Sequence, residues 1–132
     1  MTHSTGKKIL IVDDEPDVVA YLRTLLEDNG FQVVTAGNGK EGMERARAEA
    51  PALVLLDISM PEESGVRMFR NLQEDAQTSD TPVIIVTGVS HDFKRFIETR
   101  RHLRAPAGYF DKPPDREQLL AKIIEILGSK AA

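Results

Sequence analysis

The run Leu53-Val54-Leu55-Leu56-Asp57-Ile58-Ser59-Met60-Pro61 decides how this chain folds. Four apolar residues lead straight into one acid, and a Met-Pro turn follows three residues later. A short, continuous apolar run of this kind suits a strand covered on both faces, the environment of a parallel sheet. Such a strand delivers a single carboxylate to its C-terminal end, the edge at which open α/β sheets place their ligands. Asp57 is thus the first candidate for the chemistry.

Working outward, residues 7–12 (KKILIV), 31–35, 82–87 (PVIIVT) and 108–110 also read as strands. Between them, apolar residues recur at helical spacing. Val18, Val19, Leu22, Leu25 and Leu26 mark a helix that Asp14 caps, Pro16 opens and Asn29-Gly30 stops. After the turn Gly37-Asn38-Gly39, residues 40–50 carry Met43, Ala46 and Ala48 in a weaker helix closed by Pro51. Residues 65–75 offer Val66, Met68, Phe69 and Leu72, and a fourth helix is predicted over about 92–104. Lys112-Pro113-Pro114 breaks the chain, and Asp115 caps a last helix bearing Leu119, Leu120, Ile123, Ile124 and Leu127. Strand and helix alternate five times, which predicts a parallel sheet with helices on both faces. No repeat, low-complexity tract or linker interrupts the pattern. One α/β domain over 1–132 is expected, with its core at about 7–127.

The 132 residues suffice to bury a core without staples, and 41% apolar and 29% charged content are ordinary for a globular protein. The absence of cysteine excludes disulfides, thiolate catalysis and cysteine-based metal sites. No apolar run approaches the roughly 20 residues that span a bilayer, and MTHSTGKK lacks the apolar region of a secretory signal. A cytoplasmic protein is expected. A net charge of −4 argues against wholesale nucleic-acid binding. Residues 91–104 nevertheless carry +3, leaving −7 for the remainder. Lys94, Arg95, Arg100, Arg101 and Arg104 are therefore a candidate partner-binding face, weighed against a plain solvated helix end where positive charge suits the macrodipole. His3, His91 and His102 show no metal-ligand spacing.

The residues just after each strand hold most of the chemical information. They are Asp13 and Asp14, then Asp57, then Thr87-Gly88, then Lys112. In a doubly wound sheet these ends converge, so three carboxylates, a hydroxyl and an ammonium would share one cleft. Acids held that close repel one another, and a hard cation with oxygen ligands would relieve the repulsion. Mg²⁺ (or Mn²⁺) suits such a site.

In this combination the chain resembles the receiver domains of two-component response regulators, from about Lys7 to Leu127. The resemblance rests on Asp13-Asp14, Asp57, Met60-Pro61 with Gly65, Thr87-Gly88, and Tyr109 with Lys112-Pro113. Singly each has a bland reading, as a helix cap, a strand end or a surface lysine; their ordered combination is specific. It implies a flavodoxin-like (βα)5 fold with strand order 2-1-3-4-5. It also implies that Asp57 accepts a phosphoryl group from a sensor histidine kinase, a phosphotransfer protein or a small acyl phosphate. Asp14 would ligate Mg²⁺ directly, Asp13 through water, and the Ser59 main-chain carbonyl would supply a further oxygen beside Asp57. Lys112, Thr87 and the Gly88 N–H would meet the phosphoryl group, and Tyr109 would swing inward behind Thr87. The fourth predicted helix, the fifth strand and the last helix would form the switched partner-binding face. A dianion on Asp57 creates new acceptors that Thr87 reaches only by moving, so a local charge change biases a two-state element.

The sequence departs from the family in two places. Thr87 and Lys112 are separated by 25 positions, slightly more than usual, and the surplus falls in the basic stretch. Pro114 stands where an apolar residue usually follows Lys-Pro, and the Lys–Pro bond is expected to be cis. Ser59 and Val89 occupy positions that tune dephosphorylation in the family. The reading is a chemotaxis-regulator-like signalling protein, stand-alone or cut from a longer chain, monomeric or dimerising on phosphorylation, that assists only its own phosphorylation and dephosphorylation. Two alternatives differ in class. A haloacid-dehalogenase-type hydrolase would need a second acid two residues after the nucleophile, where this chain has Ser59. A degenerate receiver acting as a scaffold would be expected to lack charged site residues that are all present.

Overall fold

The computed structural model describes residues 6–61, 64–88 and 103–128. Five strands form one parallel sheet: β1 (Lys8–Val12), β2 (Gln32–Ala36), β3 (Leu53–Leu56), β4 (Val83–Thr87) and β5 (Gly108–Asp111), in the order β2-β1-β3-β4-β5. Four described helices cover it: α1 (Pro16–Asp28), α2 (Gly39–Glu49), α3 (Ser64–Glu74) and α4 (Arg116–Leu127). The strand order is the one the family resemblance implied.

β3 lies at the centre, and all four of its residues are buried. Covering each Val or Leu is worth roughly 1.5–3 kcal/mol, which is why an unbroken apolar run, rather than an alternating one, occupies this position. Leu10, Val12, Val54, Leu56, Val83 and Ile85 face α2 and α3, meeting Met43, Ala46, Met68, Phe69 and Leu72. Ile9, Ile11, Leu53, Leu55, Ile84 and Val86 face α1 and α4, meeting Leu22, Leu25, Leu26, Leu119 and Ile123. Successive strand residues thus serve opposite cores, as the twofold strand repeat requires.

The helix boundaries add detail. Glu15, not Asp14, is the N-cap of α1, and Pro16 follows it in the first turn. The Asp13 carboxylate accepts the Glu15 N–H at 2.9 Å, which turns the chain before the helix begins and moves its start one residue on. At the other end, Asn29 donates its side-chain amide to the Leu25 carbonyl (2.8 Å), and Gly30 at φ 87° carries the chain into β2. Asn38 caps α2 by accepting the Glu41 N–H at 2.8 Å, and Asp115 caps α4 by accepting the Gln118 N–H at 2.9 Å. Ala48 is exposed on α2, and Ile124 is 43% exposed on α4, so both apolar stripes are narrower than the periodicity suggested.

The fourth predicted helix falls largely outside the described residues. Its last two positions, Leu103 and Arg104, are not helical. Leu103 is buried in the α2/α3 core, and Gln73 brackets Arg104, donating to its carbonyl and accepting its N–H at 2.8 Å each. The Arg104 guanidinium donates to the Ser79 carbonyl. Arg104 is therefore tied to the chain around the end of α3 instead of closing a solvated helix. Lys94, Arg95, Arg100 and Arg101 lie outside the described residues.

Candidate functional site

Register brings the acids together. Val12 and Leu56 are partners in the β1–β3 ladder, so Asp13 and Asp57 leave the sheet side by side. Main-chain bonds continue past the strand ends: the Asp57 N–H donates to the Val12 carbonyl at 2.9 Å, and the Asp13 N–H to the Ala36 carbonyl at 3.1 Å. Both carboxylates are buried, Asp13 4% and Asp57 2% exposed, while Asp14 is exposed at the mouth. Carboxylate oxygens of Asp13, Asp14 and Asp57 lie within 4.8 Å of one another, a donor set suited to a hard cation.

Lys112 arrives from the far side of the sheet. The β4–β5 register pairs Thr87 with Asp111, and the Lys112 N–H then donates to the Thr87 carbonyl at 3.0 Å. The Lys112–Pro113 bond is cis, and Pro114 is buried. From there the ammonium reaches Asp13 Oδ2 at 2.9 Å and Asp57 Oδ2 at 3.2 Å, and it also pairs with Glu15 Oε1. Burial works against the charged lysine, but the bonds to Glu15 and Asp13 and the charge of Asp57 hold its pKa above the ordinary lysine value. Burial pushes the Asp13 carboxyl up, only partly offset by the Glu15 N–H and by Lys112. Like charge at Asp57 adds to the rise. Among the described residues, two buried acids and the exposed Glu15 share the single ammonium of Lys112, with the exposed Asp14 beside them.

Asp57 Oδ1 accepts two bonds from Ser59, one from its N–H at 2.8 Å and one from its hydroxyl at 2.6 Å. The sequence pointed to the Ser59 carbonyl and missed this hydroxyl contact. Glu15 was missed as well, since pairing with a residue 97 positions away leaves no local trace. Thr87 is fully buried at the end of β4. The ladder aligns Ile85 with Tyr109, which places Thr87, Ile85 and Tyr109 on one face of the sheet. Tyr109 is half-buried against the α2/α3 core, and burial, with Asp111 nearby, raises its hydroxyl pKa. Gly88 is exposed, and a Cβ there would meet nothing within 4 Å among the described residues. Gly65 is different. A Cβ at this position would run into the Asp57 carbonyl and lie 2.6 Å from Ile58 Cα, so only glycine lets α3 start against the strand end that carries Asp57.

Residues 9–124 match the family model for the response regulator receiver domain. The chain belongs to this family. Among known receiver-containing proteins it is 42% identical over 120 residues to Protein PilH of Pseudomonas aeruginosa, covering 91% of this chain and 97% of that one. It is 31% identical over 122 residues to the alkaline phosphatase synthesis transcriptional regulatory protein PhoP of Bacillus subtilis. That match covers 92% of this chain but 49% of the relative, about half its length. The solved CheY-like receiver domain protein of Methanospirillum hungatei superposes with a TM-score of 0.81 at 27% identity, covering 95% of this chain and 96% of that structure. Receiver domains are signalling components of two-component systems, and they typically bind Mg²⁺ at an acidic pocket and interact with histidine kinases or phosphotransfer proteins. No described helix is long and apolar enough to cross a membrane.

Proposed function

We propose that this receiver, acting as one unit, takes a phosphoryl group onto Asp57 from a histidine kinase or phosphotransfer protein, or from a small acyl phosphate. The observation that carries the reading is the buried Asp13–Asp57 pair bridged by the Lys112 ammonium, with Asp14 open at the mouth. In this reading an Asp57 carboxylate oxygen forms the new P–O bond as the donor's P–N or P–O bond breaks. Phosphoryl transfer asks for alignment and charge neutralisation more than covalent machinery. Asp13, Asp14, Asp57 and the Ser59 carbonyl would hold Mg²⁺ or Mn²⁺, which when bound supplies positive charge against the transferring oxygens. Lys112 follows the phosphoryl group, its ammonium already within hydrogen-bonding reach of Asp57. The Ser59 hydroxyl orients the acceptor through Oδ1.

The readout begins at Thr87. Its hydroxyl moves toward a phosphoryl oxygen, the space behind it opens, and Tyr109 packs inward on the same face. The altered face, formed by the segment after β4 with β5 and α4, then meets a protein partner in the cytoplasm. Lys94, Arg95, Arg100 and Arg101 supply its charge in this reading. Arg104, held by Ser79 and Gln73, anchors that segment instead of contacting the partner.

Incubation with acetyl phosphate and Mg²⁺ followed by intact-mass measurement tests the acceptor. One added phosphoryl group is expected, absent in Asp57→Asn and after chelation. No addition with acetyl phosphate or with a kinase donor would sink the proposal, and catalytic turnover of phosphoesters would favour a hydrolase.

A further inference from the structure

An ammonium has three N–H donors and no acceptor. Here three carboxylates surround the Lys112 ammonium: Asp13, Asp57 and Glu15. The first two are buried members of the acid cluster. Glu15 is not, its side chain being 58% exposed. Its main chain is fixed, because its N–H donates to Asp13 and its carbonyl accepts from Val18 and Val19 at 3.1 Å each. Its side chain makes no capping bond to α1, and glutamate is not among the favoured N-cap residues. Capping therefore does not account for the residue at this position. Its carboxylate is turned across the cleft onto Lys112.

We propose that Glu15 is a positioning residue that holds Lys112 at the mouth of the cleft and competes with an incoming phosphoryl group for its ammonium. The inference rests on the phospho-acceptor reading above. A phosphoryl group at Asp57 brings several acceptor oxygens to a lysine already surrounded by carboxylates. Phosphoryl oxygens replace the Asp57 carboxylate at Lys112, and a second one reaches the ammonium only if Lys112 also releases Asp13 or Glu15. Leaving Asp13 would take a partner from a buried carboxylate, whereas a released Glu15 is hydrated at once, so Glu15 is the contact that gives way. An exposed ion pair is worth little, so this competition sets a modest, tunable resistance to occupancy and not a block.

The test uses beryllium fluoride with saturating Mg²⁺ as the phosphoryl mimic, in about 0.15 M salt, which screens distant exposed charges. Binding is titrated to wild type, Glu15→Gln, and Asp17→Asn as a control. Asp17 is an exposed acid in the first turn of α1, so its replacement removes the same unit of charge two residues from Glu15. Glu15→Gln should bind about two- to five-fold more tightly, the range an exposed pair allows, and Asp17→Asn should bind as wild type does. Unchanged or weaker binding by Glu15→Gln overturns the inference, as does equal tightening in Asp17→Asn, which would reduce the effect to net charge. If wild type binds no beryllium fluoride, or Asp57→Asn binds it equally well, the acceptor reading itself fails and this inference falls with it.

Discussion

Replacing Lys112 by methionine keeps most of the alkyl stem and removes the ammonium that bridges Asp13 Oδ2 at 2.9 Å and Asp57 Oδ2 at 3.2 Å. Taking one partner from a buried charge pair costs about 3–5 kcal/mol, because the remaining charge is left uncompensated. Two features lower that figure here. The Asp13 carboxyl, already pushed up by burial, can take a proton, and the cleft mouth at Asp14 and Glu15 is open to water. A loss of about 2–3 kcal/mol is expected. The raised lysine pKa means that its contribution is complete below the ordinary lysine value and lost only as pH rises through the folded-state value, so at pH 7 it is fully present. The assay is urea unfolding at pH 7 with chelator present, where a slope of about 1–3 kcal/mol per molar urea converts the loss into a midpoint shift of about 0.7–3 M. Asp57→Asn in the same background removes the stranded charge while keeping an acceptor for Ser59, and should restore most of the midpoint. Added Mg²⁺ should restore part of it through the same carboxylates. A loss below about 0.5 kcal/mol, or no recovery with Asp57→Asn, would refute the view of Lys112 as the counter-ion of this site.

Gly65→Ala should cost about 1–3 kcal/mol in urea unfolding, because the added methyl meets the Asp57 carbonyl and Ile58 Cα and must push α3 away; it should also slow phosphorylation, and wild-type stability would contradict the close approach. Asp75 is held below its ordinary value near 3.8 by the Arg47 side chain and by the Gln77 N–H. Its contribution is therefore present above that value and is lost as pH falls through the folded-state value, so the urea midpoints of wild type and Asp75→Asn should converge as pH drops below about 4. A gap that persists unchanged at pH 2 would show that the charge of Asp75 contributes nothing.

Most of the architecture was legible because it depends on short-range chemistry. Apolar runs of four or five residues marked β1, β3 and β4, Gly37-Asn38-Gly39 marked the turn before α2, and Asp115 marked the start of α4, where its side chain accepts a main-chain N–H. The errors arose where a neighbouring side chain competed. Asp14 read as a cap, but Asp13 turns back on the Glu15 N–H and passes the cap to Glu15. Leu103 and Arg104 read as the end of a helix, but the core takes the leucine and Gln73 takes the arginine main chain.

The run through Asp57 was enough by itself to place an acid at the end of a buried parallel strand, because burial on both faces leaves a strand no alternating pattern. The residue types after the other strands were enough to suggest a metal, and the family resemblance they carry implied the phosphoryl group. What only the tertiary structure decided is how the charges are shared. The ammonium of Lys112 binds Asp13, Asp57 and Glu15 together, and the Ser59 hydroxyl takes the remaining Asp57 oxygen. Those contacts join residues up to 99 positions apart. They depend on the ladder register and on the path of the chain through Pro113, and neither is written in any local stretch of sequence.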